Sequence, residues 1–215
     1  MAMPREYAKD SPYSLYLENW IPAQQDINVL MESEPEPEPE VPTVTFSDDF
    51  NRANTSDLGI GWVEVSGNWL IISDQLSSGG DGGTVLLRAA IEMVSDDHYA
   101  QVTIAVPAEA SMGVWCRGNS NITSGYLWRN DGTTWDLFRV LGGSFTVIGT
   151  YAASAEPGDV AKVQAVGSTV KAFVNGVERV SVTDTDVPTG TTVGIRSEST
   201  AVIRYDDFTG TEVTP

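Results

Sequence analysis

The chain has 215 residues and a formal net charge of −18 at pH 7, from 30 acidic and 12 basic residues. This charge argues against nucleic acid as a partner, because a phosphate backbone would be repelled. No apolar stretch approaches the length of a membrane span, so we expect no membrane insertion. The first residues are polar rather than the apolar core of a signal peptide, and we expect synthesis in the cytoplasm without export by that route.

Residues 1–32 form an N-terminal arm in which apolar residues are interrupted by prolines. Pro4, Pro12 and Pro22 prevent a long helix, and the arm is too short to enclose a core of its own. We therefore expect the arm to become ordered only when it docks on other protein chains. The anchors that we expect are Tyr13, Tyr16, Leu17, Trp20 and Ile21.

Residues 33–42 are a spacer in which glutamate and proline alternate. Proline fixes φ and the glutamates repel one another, so such a tract is extended and semi-rigid. The spacer separates the arm from residues 43–215, where the composition changes to one rich in Gly, Thr, Val and Ser. We expect a folded domain to begin at Thr43.

Residues 43–215 contain short runs of alternating apolar residues separated by turn signals, and they show no helical period. The centres of the predicted tight hairpins are Asp131-Gly132, Gly142-Gly143, Gly167-Ser168 and Asn175-Gly176. This pattern predicts an all-β sandwich of many antiparallel strands.

The hairpin turns also predict which side chains share a face of the sheet. A two-residue turn at Asp131-Gly132 places Trp128 opposite Trp135, and side chains then alternate between two faces. One face holds Leu127, Phe138, Val140, Phe145 and Val147, and the other holds Tyr126, Trp128, Trp135, Leu137, Arg139, Thr146 and Ile148. We expect the first face, which is apolar throughout, to be the core and the second face to be partly open. A one-residue change in a loop would invert this assignment.

Several stretches resemble concanavalin A-like or laminin G-like jelly rolls. These stretches are Phe46 to Arg52, Gly61-Trp62, Gly67-Asn68-Trp69, Gly113 to Arg117, Gly125 to Trp128, Val163 to Gly176, Pro188-Thr189-Gly190, Val193 to Arg196 and Tyr205 to Phe208. The resemblance implies two curved antiparallel sheets with the first and last strands adjacent. Asp48-Asp49-Phe50 would then lie close to Asp206-Asp207-Phe208.

A glycan-binding surface is the first candidate site. Tyr126, Trp128, Trp135 and Arg139 share the predicted open face, and Trp115 and Arg117 lie on a neighbouring strand. Flat aromatic rings stack on sugar rings, and arginine donates hydrogen bonds to hydroxyl or acidic groups. The alternative is structural: the tryptophans close the sandwich or pack against a neighbouring subunit.

A calcium site is the second candidate, because some members of the family that the chain resembles bind Ca²⁺. The candidate ligands are Asp48, Asp49, Asp206 and Asp207, whose oxygens are hard ligands. The alternative is that in each pair one aspartate points to water while the other caps a turn.

We expect no enzymatic activity. The strand motif Glu-x-Asp-x-x-Glu of glycoside hydrolases on this fold is absent. The single histidine, His98, is predicted at the surface, and the single cysteine, Cys116, is predicted as a buried thiol.

A sandwich behind a short arm resembles the virion proteins of tailed bacteriophages. The resemblance implies a non-catalytic structural protein, present in several copies, whose arm docks on other virion proteins while the sandwich projects outward and binds a host-surface glycan. A minor tail or tail-tip position is favoured. The alternatives are a head-decoration protein of the capsid and a free carbohydrate-binding module without an assembly role.

Overall fold

The computed structural model describes residues 43–213. The predicted arm and its anchors Tyr13, Tyr16, Leu17, Trp20 and Ile21 lie outside the described residues, as does the Glu-Pro spacer. Within the described part all regular elements are β-strands, and no helix is long and apolar enough to cross a membrane.

Fifteen strands follow one another along the described residues. They are β1 (Thr45–Asp48), β2 (Trp62–Ser66), β3 (Leu70–Ile72), β4 (Gln75–Ser77), β5 (Thr84–Ala89), β6 (His98–Val106), β7 (Met112–Gly118), β8 (Gly125–Asn130), β9 (Trp135–Leu141), β10 (Ser144–Tyr151), β11 (Asp159–Val166), β12 (Thr169–Val174), β13 (Val177–Thr183), β14 (Thr192–Glu198) and β15 (Arg204–Glu212).

The strands form two antiparallel sheets, which confirms the predicted sandwich. The eight-stranded sheet has the order β13-β12-β11-β6-β15-β4-β3, with β1 also paired to β15. The seven-stranded sheet has the order β10-β9-β8-β7-β14-β5-β2. Asp48 of β1 pairs with Phe208 of β15, so the first and last strands are adjacent, as the resemblance implied.

Three of the four predicted hairpins have the expected turn. Val140 pairs with Phe145, Val166 with Thr169 and Val174 with Val177. At the last of these turns Asn175 and Gly176 have φ values of 55° and 74°, the left-handed region that a two-residue turn of this type requires at both positions.

The hairpin between β8 and β9 differs from the prediction by two residues. Its loop spans residues 131–134, because the Asp131 carboxylate accepts hydrogen bonds from the backbone N–H groups of Thr133 and Thr134. Trp135 therefore pairs with Asn130, and Trp128 pairs with Leu137. A shift of two residues keeps every side chain on its predicted face, because side chains alternate with a period of two.

The assignment of those faces to core and surface is wrong. Trp128, Trp135 and Leu137 point into the space between the two sheets, where they are fully buried. β11 packs across β7 and β8, and β11 and β12 present small inward side chains, Ala161, Ala165 and Ala172 among them. Large rings on one sheet thus fill the space left by small residues on the other, as close packing of a core requires.

Candidate functional site

The predicted glycan-binding residues lie mostly inside the protein. Trp115, Tyr126, Trp128 and Trp135 have no exposed surface, and Arg117 is 1% exposed. Stacking on a sugar requires an accessible ring face. The predicted open aromatic face is therefore wrong, and the structural alternative for these aromatic residues is correct.

The inward aromatic residues hold the two sheets together. The rings of Trp128 and Trp135 stack with centroids 5.4 Å apart, and the Trp128 indole N–H donates to the carbonyl of Phe173 at 3.1 Å. The Tyr126 hydroxyl donates to the Asp184 carboxylate at 2.9 Å, and burial raises the pKa of this phenol. Cys116 is buried beside them as predicted, and burial raises the pKa of its thiol to about 12.

Arg117 is a structural residue that joins three segments. Its side chain donates to the carbonyl of Asp96 at 2.8 Å, to the carbonyl of Gly167 at 2.7 Å and to the carboxylate of Asp97 at 3.1 Å. Its backbone N–H donates to Nε2 of His98 at 2.8 Å. His98 is completely buried, so the prediction of a surface histidine is wrong.

Arg139, the sixth predicted glycan-binding residue, is held by carboxylates from the connection after β13. Its guanidinium pairs with Asp184 at 3.0 Å and also contacts Asp186. The Asp184 carboxylate also accepts the Tyr126 hydroxyl, so Arg139 belongs to an internal polar network. One terminal nitrogen makes both contacts, while the buried Nε lacks an acceptor among the described residues.

The four aspartates predicted to bind calcium do not form a ligand set. Asp48 accepts both terminal nitrogens of Arg52 at 2.7 and 3.0 Å and the indole N–H of Trp62 at 2.7 Å. Burial would raise the pKa of Asp48, but these hydrogen bonds lower it overall. Asp49 accepts the backbone N–H of Asn51, which is the turn-capping role of the alternative.

The other two aspartates, on β15, add no further ligand group. The pKa of Asp206 is raised by burial and by the negative charges of Asp207, Asp49 and Asp74. Within residues 43–213 no three carboxylate, histidine or cysteine side chains converge to hold a metal ion. Calcium binding by Asp48, Asp49, Asp206 and Asp207 stays a prediction.

The outer face of the seven-stranded sheet carries a second, smaller group of side chains. Its apolar part is Trp115, Ile122, Leu127, Phe138 and Val140, with Val65 and Leu86 packed against it. The register places Arg129 of β8, Gly113 of β7 and Arg196 of β14 side by side on this face. Arg88 of β5 lies opposite Gly194 of β14, one row further along.

This outer face is concave. β10 and β14 are four strand positions apart, which is about 19 Å in a flat sheet. Yet the Arg196 guanidinium lies 4.8 Å from the centroid of the Phe145 ring on β10. Two glycines permit close approach of the central strands, because a Cβ on Gly113 or Gly194 would lie 2.5 or 2.2 Å from a neighbouring backbone oxygen.

We call this surface the concave face and define it by Arg88, Arg129, Phe138, Phe145 and Arg196. Phe145 is 44% exposed, so its ring is accessible at the rim. The sequence contains a pattern that marks this surface and that the hairpin turns do not reveal. Each of the three arginines is flanked in its strand by an inward, fully buried residue, namely Leu87, Trp128 and Ile195.

Two other surface depressions lie near predicted residues. An open cleft of about 370 Å³ is lined by Asp96, Asp97, Arg117 and Asp184, among others. The Arg117 donors and the Asp97 and Asp184 carboxylates in it are engaged in the hydrogen bonds described above. A second cleft of about 470 Å³ lies beside Asp48, Asp49 and Asp207.

Comparisons with known proteins establish the fold. No protein-family model and no curated protein matches the chain. Among solved structures, the chain is similar to the carbohydrate-binding module CBM66 from Bacillus subtilis, with a TM-score of 0.55 and 16% identity over 68% of this chain and 91% of that chain. It is also similar to the exoplasmic/lumenal domain of VIP36 in its Ca²⁺- and mannose-bound form, with a TM-score of 0.56 and 10% identity over 72% of this chain and 83% of that chain.

A third similar structure is that of a candidate glycosyl hydrolase from Parabacteroides distasonis, with a TM-score of 0.50 and 10% identity over 72% of this chain and 89% of that chain. At these identities the similarity concerns the fold alone. Together with the two antiparallel sheets, it identifies residues 43–213 as a jelly-roll sandwich of the concanavalin A-like type.

Proposed function

We propose that the chain is a non-catalytic carbohydrate-binding protein and that its ligand binds on the concave face. The observation that carries this proposal is the composition of that surface, where the exposed ring of Phe145 lies against the guanidinium of Arg196. An accessible ring stacks on a sugar, and guanidinium groups donate hydrogen bonds to its oxygens. The similarity in fold to CBM66 and to mannose-bound VIP36 supports the assignment.

A non-catalytic role is favoured by the centre of the concave face. Glycoside hydrolysis requires two carboxylates that flank the sugar bond. The central row here consists of Arg129, Gly113 and Arg196. The nearby Asp136 carboxylate accepts a hydrogen bond from Thr150 at 2.7 Å and lies 3.8 Å from Arg129.

A glycan microarray probed with the full chain tests this proposal. We expect a defined set of saccharides to bind, and repeating the array in EDTA tests whether calcium takes part. Phe145→Ala weakens binding, whereas the matched control Val177→Ala, at a 50% exposed apolar residue on β13, leaves it unchanged. Absence of binding to every saccharide, or equal loss in both variants, contradicts the proposal.

We further propose that the protein is a structural component of a tailed-bacteriophage virion, present in several copies. The apolar, proline-broken arm of residues 1–32 docks on other virion proteins, and the Glu-Pro spacer holds the sandwich away from the particle. The composition of residues 1–42 is what supports this role. A minor tail or tail-tip position is favoured over head decoration, because there the sandwich would contact a host-surface glycan.

Mass spectrometry of purified particles, with and without residues 1–42, tests the virion role. We expect the full chain in the particles and the shortened chain to be absent from them while it still binds saccharide. If particles lack the full chain and the shortened chain binds saccharide equally well, the protein is a free carbohydrate-binding module.

A further inference from the structure

Three arginines from three different strands come together on the concave face. Arg129 and Arg196 occupy the same row on either side of Gly113, which has no side chain to fill the gap between them. Arg88 pairs with Gly194, two residues before Arg196 on β14, so Arg88 and Arg196 are diagonal neighbours. A side chain at either glycine would clash with the backbone of the neighbouring strand, so no side chain from β7 at Gly113 or from β14 at Gly194 lies between the arginines.

These guanidinium groups are poorly supplied with acceptors. Each carries five N–H donors. Within residues 43–213, Arg88 donates to the Ala89 carbonyl at 3.0 Å, Arg129 to the Ser111 hydroxyl at 3.4 Å and Arg196 to the Thr84 hydroxyl at 3.3 Å.

The Nε atoms of Arg88 and Arg129 are buried and lack an acceptor among the described residues. The carboxylates nearest to Arg129 are those of Asp131 and Asp136, at 3.9 and 3.8 Å, beyond hydrogen-bond reach. Both carboxylates accept shorter hydrogen bonds from threonines. Because these Nε atoms are buried, an exogenous acceptor would reach the arginines at their terminal N–H groups.

Aromatic rings hold two of the guanidinium groups in place without using their donors. Arg129 lies 4.7 Å from the centroid of Phe138, and Arg196 lies 4.8 Å from the centroid of Phe145. A guanidinium stacked on a ring interacts through its face, whereas its N–H groups lie in its plane. These contacts help to position each guanidinium, and the terminal nitrogens of Arg129 also face Ser111, Asp131 and Asp136.

The charge on Arg129 is partly balanced by Asp131 and Asp136 at 3.9 and 3.8 Å, whereas Arg88 and Arg196 make no such ion pair within residues 43–213. Burial, followed by the positive charge of Arg129, lowers the pKa of Arg196. Arg129 and Arg196 repel each other, and an anion between them would relieve this repulsion.

We propose that the concave face binds an anionic saccharide, with a carboxylate or phosphate group held between Arg129 and Arg196 above Gly113. Arg88 donates a further hydrogen bond, and the exposed ring of Phe145 contacts the sugar. This inference rests on the proposed carbohydrate-binding function and narrows it to a charged ligand class.

Affinity electrophoresis of the full chain tests the proposal with three polymers. Polygalacturonate offers carboxylates, carboxyl-reduced polygalacturonate is its neutral counterpart, and poly(glycerol phosphate) offers phosphates. We expect binding to at least one charged polymer to be about tenfold tighter than to the neutral one, since hydrogen bonds to charged groups contribute that much or more. The affinity should fall as NaCl is raised.

Three variants assign the binding to the arginine pair. Arg196→Gln lowers the affinity for the charged polymer about tenfold, and Arg196→Lys gives an intermediate loss because it keeps the charge but not the planar fork. The matched control is Arg179→Gln on β13, since Arg179 stacks on Tyr151 at 4.5 Å outside the concave face. Arg179→Gln leaves the affinity unchanged. Thermal unfolding confirms that each variant is folded, and Arg129→Gln replaces Arg196→Gln if the latter is not.

The outcomes separate this inference from the proposed function. Equal binding of neutral and charged polymers, or equal losses in Arg196→Gln and Arg179→Gln, overturns the anionic specificity. If the polymers give that result while the microarray shows bound neutral saccharides, the carbohydrate-binding function stands and the arginine assignment is wrong. If no polymer and no arrayed saccharide binds, both are wrong.

Discussion

Arginines in the interior of the sandwich and arginines on the concave face differ in their hydrogen-bond partners. Arg117, on β7, is almost completely buried, and its side chain donates to Asp96, Asp97, Gly167 and, at 3.4 Å, Val187. The arginines of the concave face lie on the other surface of the same sheet and make one hydrogen bond each.

The difference teaches how to separate structural arginines from binding arginines. In the interior, donors are matched by carbonyls and a carboxylate of the protein, as buried polar groups require. On the concave face, aromatic rings fix the guanidinium groups while their donors lack protein acceptors. The number of donors that protein acceptors match separates Arg117 from the arginines of the concave face. The predictions below test this division.

Arg117→Met should give the largest loss of stability. The substitution removes the donor to the carbonyls of Asp96 and Gly167 and one of the two donors to the Asp97 carboxylate, which costs about 4 kcal/mol of unfolding free energy. Arg129→Met, the matched change on the concave face of the same sheet, should cost less than about 1 kcal/mol. Urea unfolding measures both, and similar losses for the two variants would contradict the division.

Trp128→Ala should cost about 3 kcal/mol, because it leaves a cavity between the sheets and removes the hydrogen bond to Phe173. Phe145→Ala, at an exposed ring, should cost less than about 1 kcal/mol. The comparison tests which aromatic residues form the core. If Trp128→Ala were stable but lost saccharide binding, Trp128 would belong to an exposed binding face, as predicted from the sequence, and not to the core.

His98 should make stability depend on pH near neutrality. Nε2 accepts the Arg117 backbone N–H, so the proton is on Nδ1, which donates to the Ser95 carbonyl at 2.8 Å. Burial lowers the pKa of His98 from 6.5. As pH falls below this value the unfolded chain takes up a proton that the folded chain does not, so stability decreases.

We expect a loss of about 1 kcal/mol between about pH 7.5 and about pH 5.5. Asp48, whose pKa is lowered from 3.8, contributes its own loss only at more acidic pH, so the two effects are separable. Urea unfolding at several pH values measures the slope. His98→Gln should flatten it, and an unchanged slope in that variant would show that another group is responsible.

Arg196→Met should have the smallest effect, within about 0.5 kcal/mol of the parent protein. The substitution removes one of two neighbouring positive charges, a long hydrogen bond to Thr84 and the contact with the exposed Phe145 ring. Its unfolding curve in low salt should therefore overlay that of the parent protein. A loss comparable to that of Arg117→Met would mean that Arg196 supports the fold.

The sequence allowed the strands and most hairpins to be predicted because their signals are local. Glycines at Gly142-Gly143 and Asn175-Gly176 determine turn geometry within a few residues, and alternation then groups the side chains into faces. The choice between core and surface is not local. Leu127 and Phe138 on one face are as apolar as Trp128 and Leu137 on the other, and the outcome depends on small residues of β11 and β12.

The candidate site could not be predicted from the sequence, because it also depends on non-local contacts. Arg88, Arg129 and Arg196 come from β5, β8 and β14, and only the strand order of the sheet brings them together. Asp48 was predicted as a metal ligand from its type. Its partners Arg52 and Trp62 are close in sequence, but their contact depends on how residues 49–61 fold.

The central claim is that the concave-face arginines contact a ligand while the interior arginines hold the fold. Two-dimensional ¹H–¹⁵N NMR of arginine Nε–H groups in the full chain, titrated with glucuronate and with glucose, tests this claim most directly. We predict that glucuronate, and not glucose, shifts the signals of Arg88, Arg129 and Arg196 and leaves those of Arg117 and Arg139 in place. Unmoved signals on the concave face, or an equal shift of Arg117, would contradict the account.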